Sequence, residues 1–286
     1  MAAGDGINVP PLTVHMGVQK TASTAFHHFL HLNAGRLDGR LTVRTPAPAT
    51  PARAAARAAI AYSLAPDAAH RAALADRIGA LRDELLATGP APILVSHENL
   101  PGAMPGNGGE VKLYPQIGAI LGLLAEHLAP FAPRFVFYTR EMHAWKGSVY
   151  NQAVKTDGYA GTRAAFEAET AACGTWDEMR ARAEAAVGAD SVTFFRLEDE
   201  TDPMRPGQQL LAQAGLSAEE IAGLAPLSGR PNESLNPGAL EFMRQINRVG
   251  LAPKPRMKVM QLVTQHQALF ASGDEIRTGH GGPAKA

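Results

Sequence analysis

The chain has 286 residues, enough to bury a full core without a metal or disulfide staple. Its 27 Lys and Arg balance its 27 Asp and Glu, and the apolar fraction is 45% against 19% charged. That balance describes a globular chain and is a poor match for a protein that coats nucleic acid or an anionic membrane.

The first eleven residues read as loop, with no basic segment leading into an apolar stretch, so no secretory leader is expected. Residues 12–18 (Leu-Thr-Val-His-Met-Gly-Val) read as a short buried strand, and a helical run follows over 25–32. Residues 44–52 are rich in Pro and Ala and read as an irregular surface connection. Alanine-rich helices fit 54–87, broken near Pro66, with Asp67 as a cap. Residues 93–96 form the second expected strand, and 101–109 a Gly- and Pro-rich loop. A helix is expected over 114–128; its apolar stretch, 117–125, is the longest in the chain and about half of a membrane span. Residues 134–139 read as the third strand, with a helix after it through Trp145 and Tyr150. Helices fit 162–172 and 176–187 around Cys173, the single cysteine, which excludes an internal disulfide. Residues 191–195 form the fourth strand; the remainder reads as helix starting near Pro206 and Pro237, with loose termini. Strands alternating with amphipathic helices imply one α/β domain over residues 1–286, with its core at about 12–250. Its parallel sheet is covered by helices on both faces. A soluble cytoplasmic protein is the expectation.

Ligands in such folds bind at the carboxyl ends of the strands. The first strand runs into Gln19-Lys20-Thr21-Ala22-Ser23-Thr24 and then directly into a helix. Backbone N–H groups at a helix start favour an anion, Lys20 adds a charge, and the hydroxyls add donors. The competing reading is that Ser23 and Thr24 only cap the helix. The third strand ends at Arg140, and Ser148 follows eight residues on. Arg presents a planar fork to a phosphate, and a hydroxyl two turns along adds a donor. The alternative for Arg140 is an ion pair with Glu141. The second strand delivers Ser96-His97-Glu98 to the same edge, where His97 or Glu98 could take a proton; alternatively Glu98 caps a turn and His97 is exposed. His27 and His31, four apart, lack a third metal ligand.

The loop departs from the nucleoside triphosphatase pattern, because Gln19 rather than Gly precedes Lys20. Lys20-Thr21-Ala22-Ser23-Thr24 instead resembles the 5′-phosphosulfate loop of sulfotransferases that use 3′-phosphoadenylyl sulfate (PAPS), with Ala22 where that family carries Gly. Arg140 and Ser148 resemble its 3′-phosphate signature. Phe194-Phe195-Arg196-Leu197-Glu198-Asp199 is similar to its strand followed by Tyr-Glu-Asp. Residues 230–235 are similar to the Arg-x-Asn-x-Ser segment of bacterial members, and Arg277 with Gly279 to an Arg-x-Gly segment. The resemblance implies a P-loop-like sulfotransferase fold, PAPS as donor, PAP as product and no metal. It implies Lys20 on the leaving phosphate oxygen, with Thr21, Ala22, Ser23 and Thr24 around the 5′-phosphosulfate. Arg140 and Ser148 would hold the 3′-phosphate. The base is a His in some branches and a Glu in others; Glu98 is favoured over His97, since Ser-x-Glu resembles bacterial and carbohydrate-directed members. The acceptor would be a small molecule or carbohydrate carrying a hydroxyl or amine. The loops at 45–51 and 101–109 are expected to shape its site. A P-loop kinase or NTPase, with Asp199 as the nearest magnesium-binding candidate, and a non-catalytic nucleotide-binding relative remain the alternatives.

Overall fold

The computed structural model describes residues 9–229 and 234–271. Five strands form one all-parallel sheet: β1 (Leu12–His15), β2 (Thr42–Arg44), β3 (Ile93–Ser96), β4 (Arg134–Thr139) and β5 (Val192–Arg196). Their spatial order is β2-β3-β1-β4-β5. Between them run α1 (Ser23–Leu32), α2 (Ala34–Leu37), α3 (Pro51–Leu64), α4 (Ala68–Leu86) and α5 (Ile117–His127). After β4 come α6 (Met142–Gln152), α7 (Arg163–Glu169) and α8 (Trp176–Val187). Past β5 lie α9 (Gln208–Gln213), α10 (Ala218–Ala222), α11 (Pro237–Val249) and α12 (Pro253–Gln265).

The expected α/β architecture is what forms, and alternation along the strands explains its two layers. In β4, Phe135 and Phe137 point to a core shared with Trp145 of α6, Met179 of α8 and Ile120 of α5. Val136 and Tyr138 point the opposite way, to Phe26 and Phe29 of α1 and Leu210 of α9. Caps fix where several helices begin. Thr50 accepts from Arg53 N ahead of Pro51, and Asp67 accepts from His70 N, as its place in the sequence suggested. Thr175 and Glu178 form a reciprocal capping box on α8. Among the described residues no helix is long and apolar enough to cross a membrane.

Among the boundaries that differ from the sequence expectation, three have a clear local reason. The first strand ends at His15 because Gly17 and Val18 turn to φ +74° and +39°. The helix expected from 114 begins at Ile117, because Tyr114 sits at φ +46° with its hydroxyl bonded to Gln19 Oε1. The connection expected at 44–52 is preceded by β2, which has only three residues and pairs with β3 from Thr42↔Ile93 to Arg44↔Val95. On the opposite edge of β2, Arg44 folds back: its Nη1 donates to Val43 O at 3.1 Å and its Nε to Glu84 Oε1. The resembling segments at 230–233 and 277–282 lie outside the described residues.

Candidate functional site

Connections leave β1 toward β2 on one side and leave β4 toward β5 on the other. The crevice between the carboxyl ends of β1 and β4 is therefore the switch point at which open α/β sheets bind ligands. The segment 16–22 emerges on one side of it and Arg140 on the other.

Residues 16–22 form a tight, clamped loop. Gly17, Val18, Lys20 and Ala22 all have positive φ, an alternation that turns successive N–H groups to one side. Ala22, at φ 66° and ψ 18°, occupies a left-handed position that Gly fills without steric cost. It is the N-cap residue of α1 and supplies no capping side chain, so the first N–H groups of that helix are left for an anion or water. The reading of Ser23 and Thr24 as mere caps therefore falls away. Gln19 anchors the loop from below. Its Nε2 donates to Asn99 Oδ1 and to Gly102 O, both at 3.1 Å, its Oε1 accepts from the Tyr114 hydroxyl, and its carbonyl accepts from Trp145 Nε1 at 2.8 Å.

The hydroxyls of the loop are not equivalent. Thr21 is buried and donates its proton to Val18 O at 2.6 Å, so the expectation that it adds a hydroxyl donor for a ligand does not hold. Ser23 is also buried, whereas Ala22 and Thr24 are exposed. Lys20 Nζ donates to Gln152 Oε1 at 3.2 Å.

Trp145, Ser148 and Gln152 recur at i, i+3 and i+7 along α6, which places them on one face. Trp145 and Gln152 both bond to the loop, so Ser148 lies between two contacts with it. Arg140 enters from β4; its carbonyl accepts from Trp176 Nε1 at 2.8 Å. Its guanidinium has no hydrogen-bonded or ion-paired partner among the described residues, and Glu141 instead caps α6 by accepting from His143 N and Ala144 N. A cation that the sequence reading missed completes the group. Lys155, in the π-helical turn Ala153–Asp157 after α6, lies close enough to bear on Lys20. Burial lowers the proton affinity of Lys20, and Lys155 and Arg140 lower it further, with Asp157 in opposition. Three cations around one crevice favour an anion between them.

Glu98 stands on the other side of β1. A Cβ on Gly17 would overlap the Glu98 Cα and lie 2.8 Å from its Cβ, so the loop packs directly on the Glu98 backbone. Burial pushes the Glu98 carboxyl above its usual range. Glu98 Oε2 lies 3.9 Å from His97 Nδ1 and 4.0 Å from His27 Nδ1. His97 is buried, not exposed, and burial first, then His27 and Arg53, push it down to about 4. It accepts from Asn99 N at 3.2 Å. His27 and His31 diverge rather than converge: His27 Nε2 lies 2.9 Å from Ser96 Oγ, and His31 Nε2 lies 3.3 Å from Thr45 Oγ1. Ser96 Oγ is also 2.8 Å from His15 Nδ1, a pairing set by the His15↔Ser96 register of β1 and β3.

Each of the two expected acceptor loops borders a cavity. One, of about 620 Å³ at the β2 edge, is lined by Thr45, His31 and Glu84 but by neither Lys20 nor Arg140. The other, of about 230 Å³, is lined by Gly106, Tyr159, Phe166 and Asp157, and so shares the turn that carries Lys155. No protein-family model, curated protein or solved structure matches the chain.

Proposed function

We propose that the protein is a sulfotransferase that moves a sulfuryl group from PAPS to a hydroxyl or amine acceptor and releases PAP. The observation that carries this reading is the convergence of Lys20 and Arg140 on the β1/β4 crevice, with Ser148 on the helix face between the loop contacts. A donor with a 5′-phosphosulfate and a separate 3′-phosphate matches two cationic positions. The open N-terminus of α1 and Lys20 suit the first anion; Arg140 and Ser148 suit the second.

In this reading the acceptor oxygen or nitrogen attacks sulfur, the bond from sulfur to the phosphate oxygen breaks, and Lys20 offsets the charge that grows there. The acceptor's proton passes to Glu98. Glu98 suits that task better than His97, since a carboxyl raised by burial is a stronger base than an imidazole lowered to about 4. The 230 Å³ cavity lined by Asp157, whose charge bears on Lys20, is the acceptor space in this reading. A kinase reading depends on Asp199, which follows β5 and is thus separated from β1 by β4.

Melting curves test the proposal. PAP should raise the melting temperature in EDTA, 5′-AMP much less, and ATP with Mg²⁺ should give no comparable shift. At a hundredfold excess over Kd the gain is about 2.7 kcal/mol. Strong stabilisation by ATP·Mg²⁺, with PAP no better than AMP, would overturn it.

A further inference from the structure

Behind Glu98 lies a line of buried polar groups to which sulfuryl transfer as described gives no task. It runs from His15 Nδ1 to Ser96 Oγ (2.8 Å), from Ser96 Oγ to His27 Nε2 (2.9 Å), and from His27 Nδ1 to Glu98 Oε2 (4.0 Å). His15 and Ser96 are at most 1% exposed. Both histidines are neutral at pH 7: burial first, with a neighbouring His second, pushes His15 down to about 3 and His27 to about 4. A neutral imidazole carries one proton, on one nitrogen or the other, and a serine hydroxyl donates once. The line therefore has two internally consistent directions.

In one direction Ser96 donates to His15 Nδ1. His15 then carries its proton on Nε2, which is buried and has no partner among the described residues. His27 donates from Nε2 to Ser96 and turns a bare Nδ1 toward the carboxylate, lone pair against lone pair. In the other direction His15 Nδ1–H donates to Ser96, Ser96 donates to His27 Nε2, and His27 Nδ1–H faces Glu98. The unpartnered atom is then only a bare acceptor, and orphaned buried N–H groups are the rarer and costlier kind. His97 cannot substitute as donor, because its Nδ1 already accepts from Asn99 N. The remaining charged or titratable groups bear on the histidines, not on Glu98 directly: Arg53 on His97, and His28 and His31 on His27.

We propose that His15, Ser96 and His27 form a directed hydrogen-bond relay that ends in an Nδ1–H on Glu98 and makes His27 the positioning residue for that carboxylate. Glu98 Oε2 is buried and has no hydrogen-bond partner among the described residues, so at 4.0 Å the His27 Nδ1–H faces an acceptor that nothing else fills. The role of Glu98 as base rests on the sulfotransferase reading; the direction of the relay does not.

Long-range ¹H–¹⁵N correlation spectra of the full chain, ¹⁵N-labelled on histidine, test it at pH 7. The variants His15→Asn, His27→Asn and His97→Asn assign the signals. His15 and His27 should be protonated on Nδ1, and His97 on Nε2. In Glu98→Ala, His27 loses its acceptor and should move its proton to Nε2. A second measurement follows the Glu98 carboxyl by ¹³C titration. His27→Gln keeps an acceptor for the Ser96 hydroxyl but no donor toward Glu98, and should raise the carboxyl midpoint by about one pH unit. His27→Asn keeps a donor at the Nδ1 position and should raise it less. Protonation of His27 on Nε2 in the wild type, or equal midpoints in all three proteins, would overturn the relay. If PAP fails to stabilise the protein while the tautomers are as stated, the sulfotransferase reading falls and the relay stands.

Discussion

Gln152 Oε1 holds Lys20 Nζ at 3.2 Å, joining the last residue of α6 to the loop after β1. This hydrogen bond crosses the crevice between β1 and β4, so the lysine is aimed by a helix that starts only two residues after Arg140. Lys20→Ala should lower turnover about a hundredfold, the typical cost of one preorganised donor. Gln152→Ala should lower it less, since the charge remains. Assay of both variants with PAPS checks the order, and wild-type turnover by Lys20→Ala would refute the assignment.

Arg140→Ala should weaken PAP by roughly 2–4 kcal/mol, the loss of a charge-assisted contact with its partner left unpaired. Ser148→Ala removes a neutral donor and should cost about 1 kcal/mol. Calorimetric titration with PAP measures both, and unchanged affinity in Arg140→Ala would remove that residue from the site.

Gly17→Ala should destabilise the fold by about 3 kcal/mol. A Cβ there overlaps the Glu98 backbone, and φ +74° disfavours any side chain. A urea midpoint equal to that of the wild type would show that loop and strand can separate freely.

Glu98→Gln should lose far more turnover than His97→Ala while both keep PAP affinity. Near-wild-type activity in both would exclude the end of β3 as the source of the base. A protein that binds PAP and never turns over would be the non-catalytic relative.

Stability should fall between pH 7 and pH 5. His15, His27 and His97 have folded pKa values of about 3, 4 and 4 against 6.5 unfolded. Their neutral forms are favoured in the fold, so the unfolded chain binds more protons. Their contribution is full above pH 6.5 and is lost as the pH falls from there toward 4, at no more than about 1.4 kcal/mol per group per pH unit. Glu98 works in the opposite sense, since its raised carboxyl is relieved by acid. Urea midpoints at pH 7 and 5 should differ in the wild type and differ less in His97→Asn.

Legibility in the sequence followed the local signal. β3, β4 and β5 are dominated by apolar, β-branched and aromatic residues, and each forms within a residue of its expected span. Thr42-Val43-Arg44 carries no such signal: three half-buried residues become a strand only because β3 offers an edge. Lys20 and Arg140 were found because each lies in the segment just past a strand end, and Ser148 because it follows Arg140 by eight residues. Lys155 was not, since its place depends on a π-helical turn that returns it to the loop. The His15–Ser96 pair depends on strand register, although both residues close adjacent parallel strands and could have been paired on that ground.

The back-folded Arg44 has a consequence for the protein in concentrated solution. A three-residue outer strand leaves peptide groups able to recruit another chain, and such borders seed aggregation. Here the guanidinium occupies the Val43 carbonyl and is itself held by Glu84. An incoming strand would have to displace both and bury a charge, so the same residue that ends β2 opposes growth of the sheet at this edge.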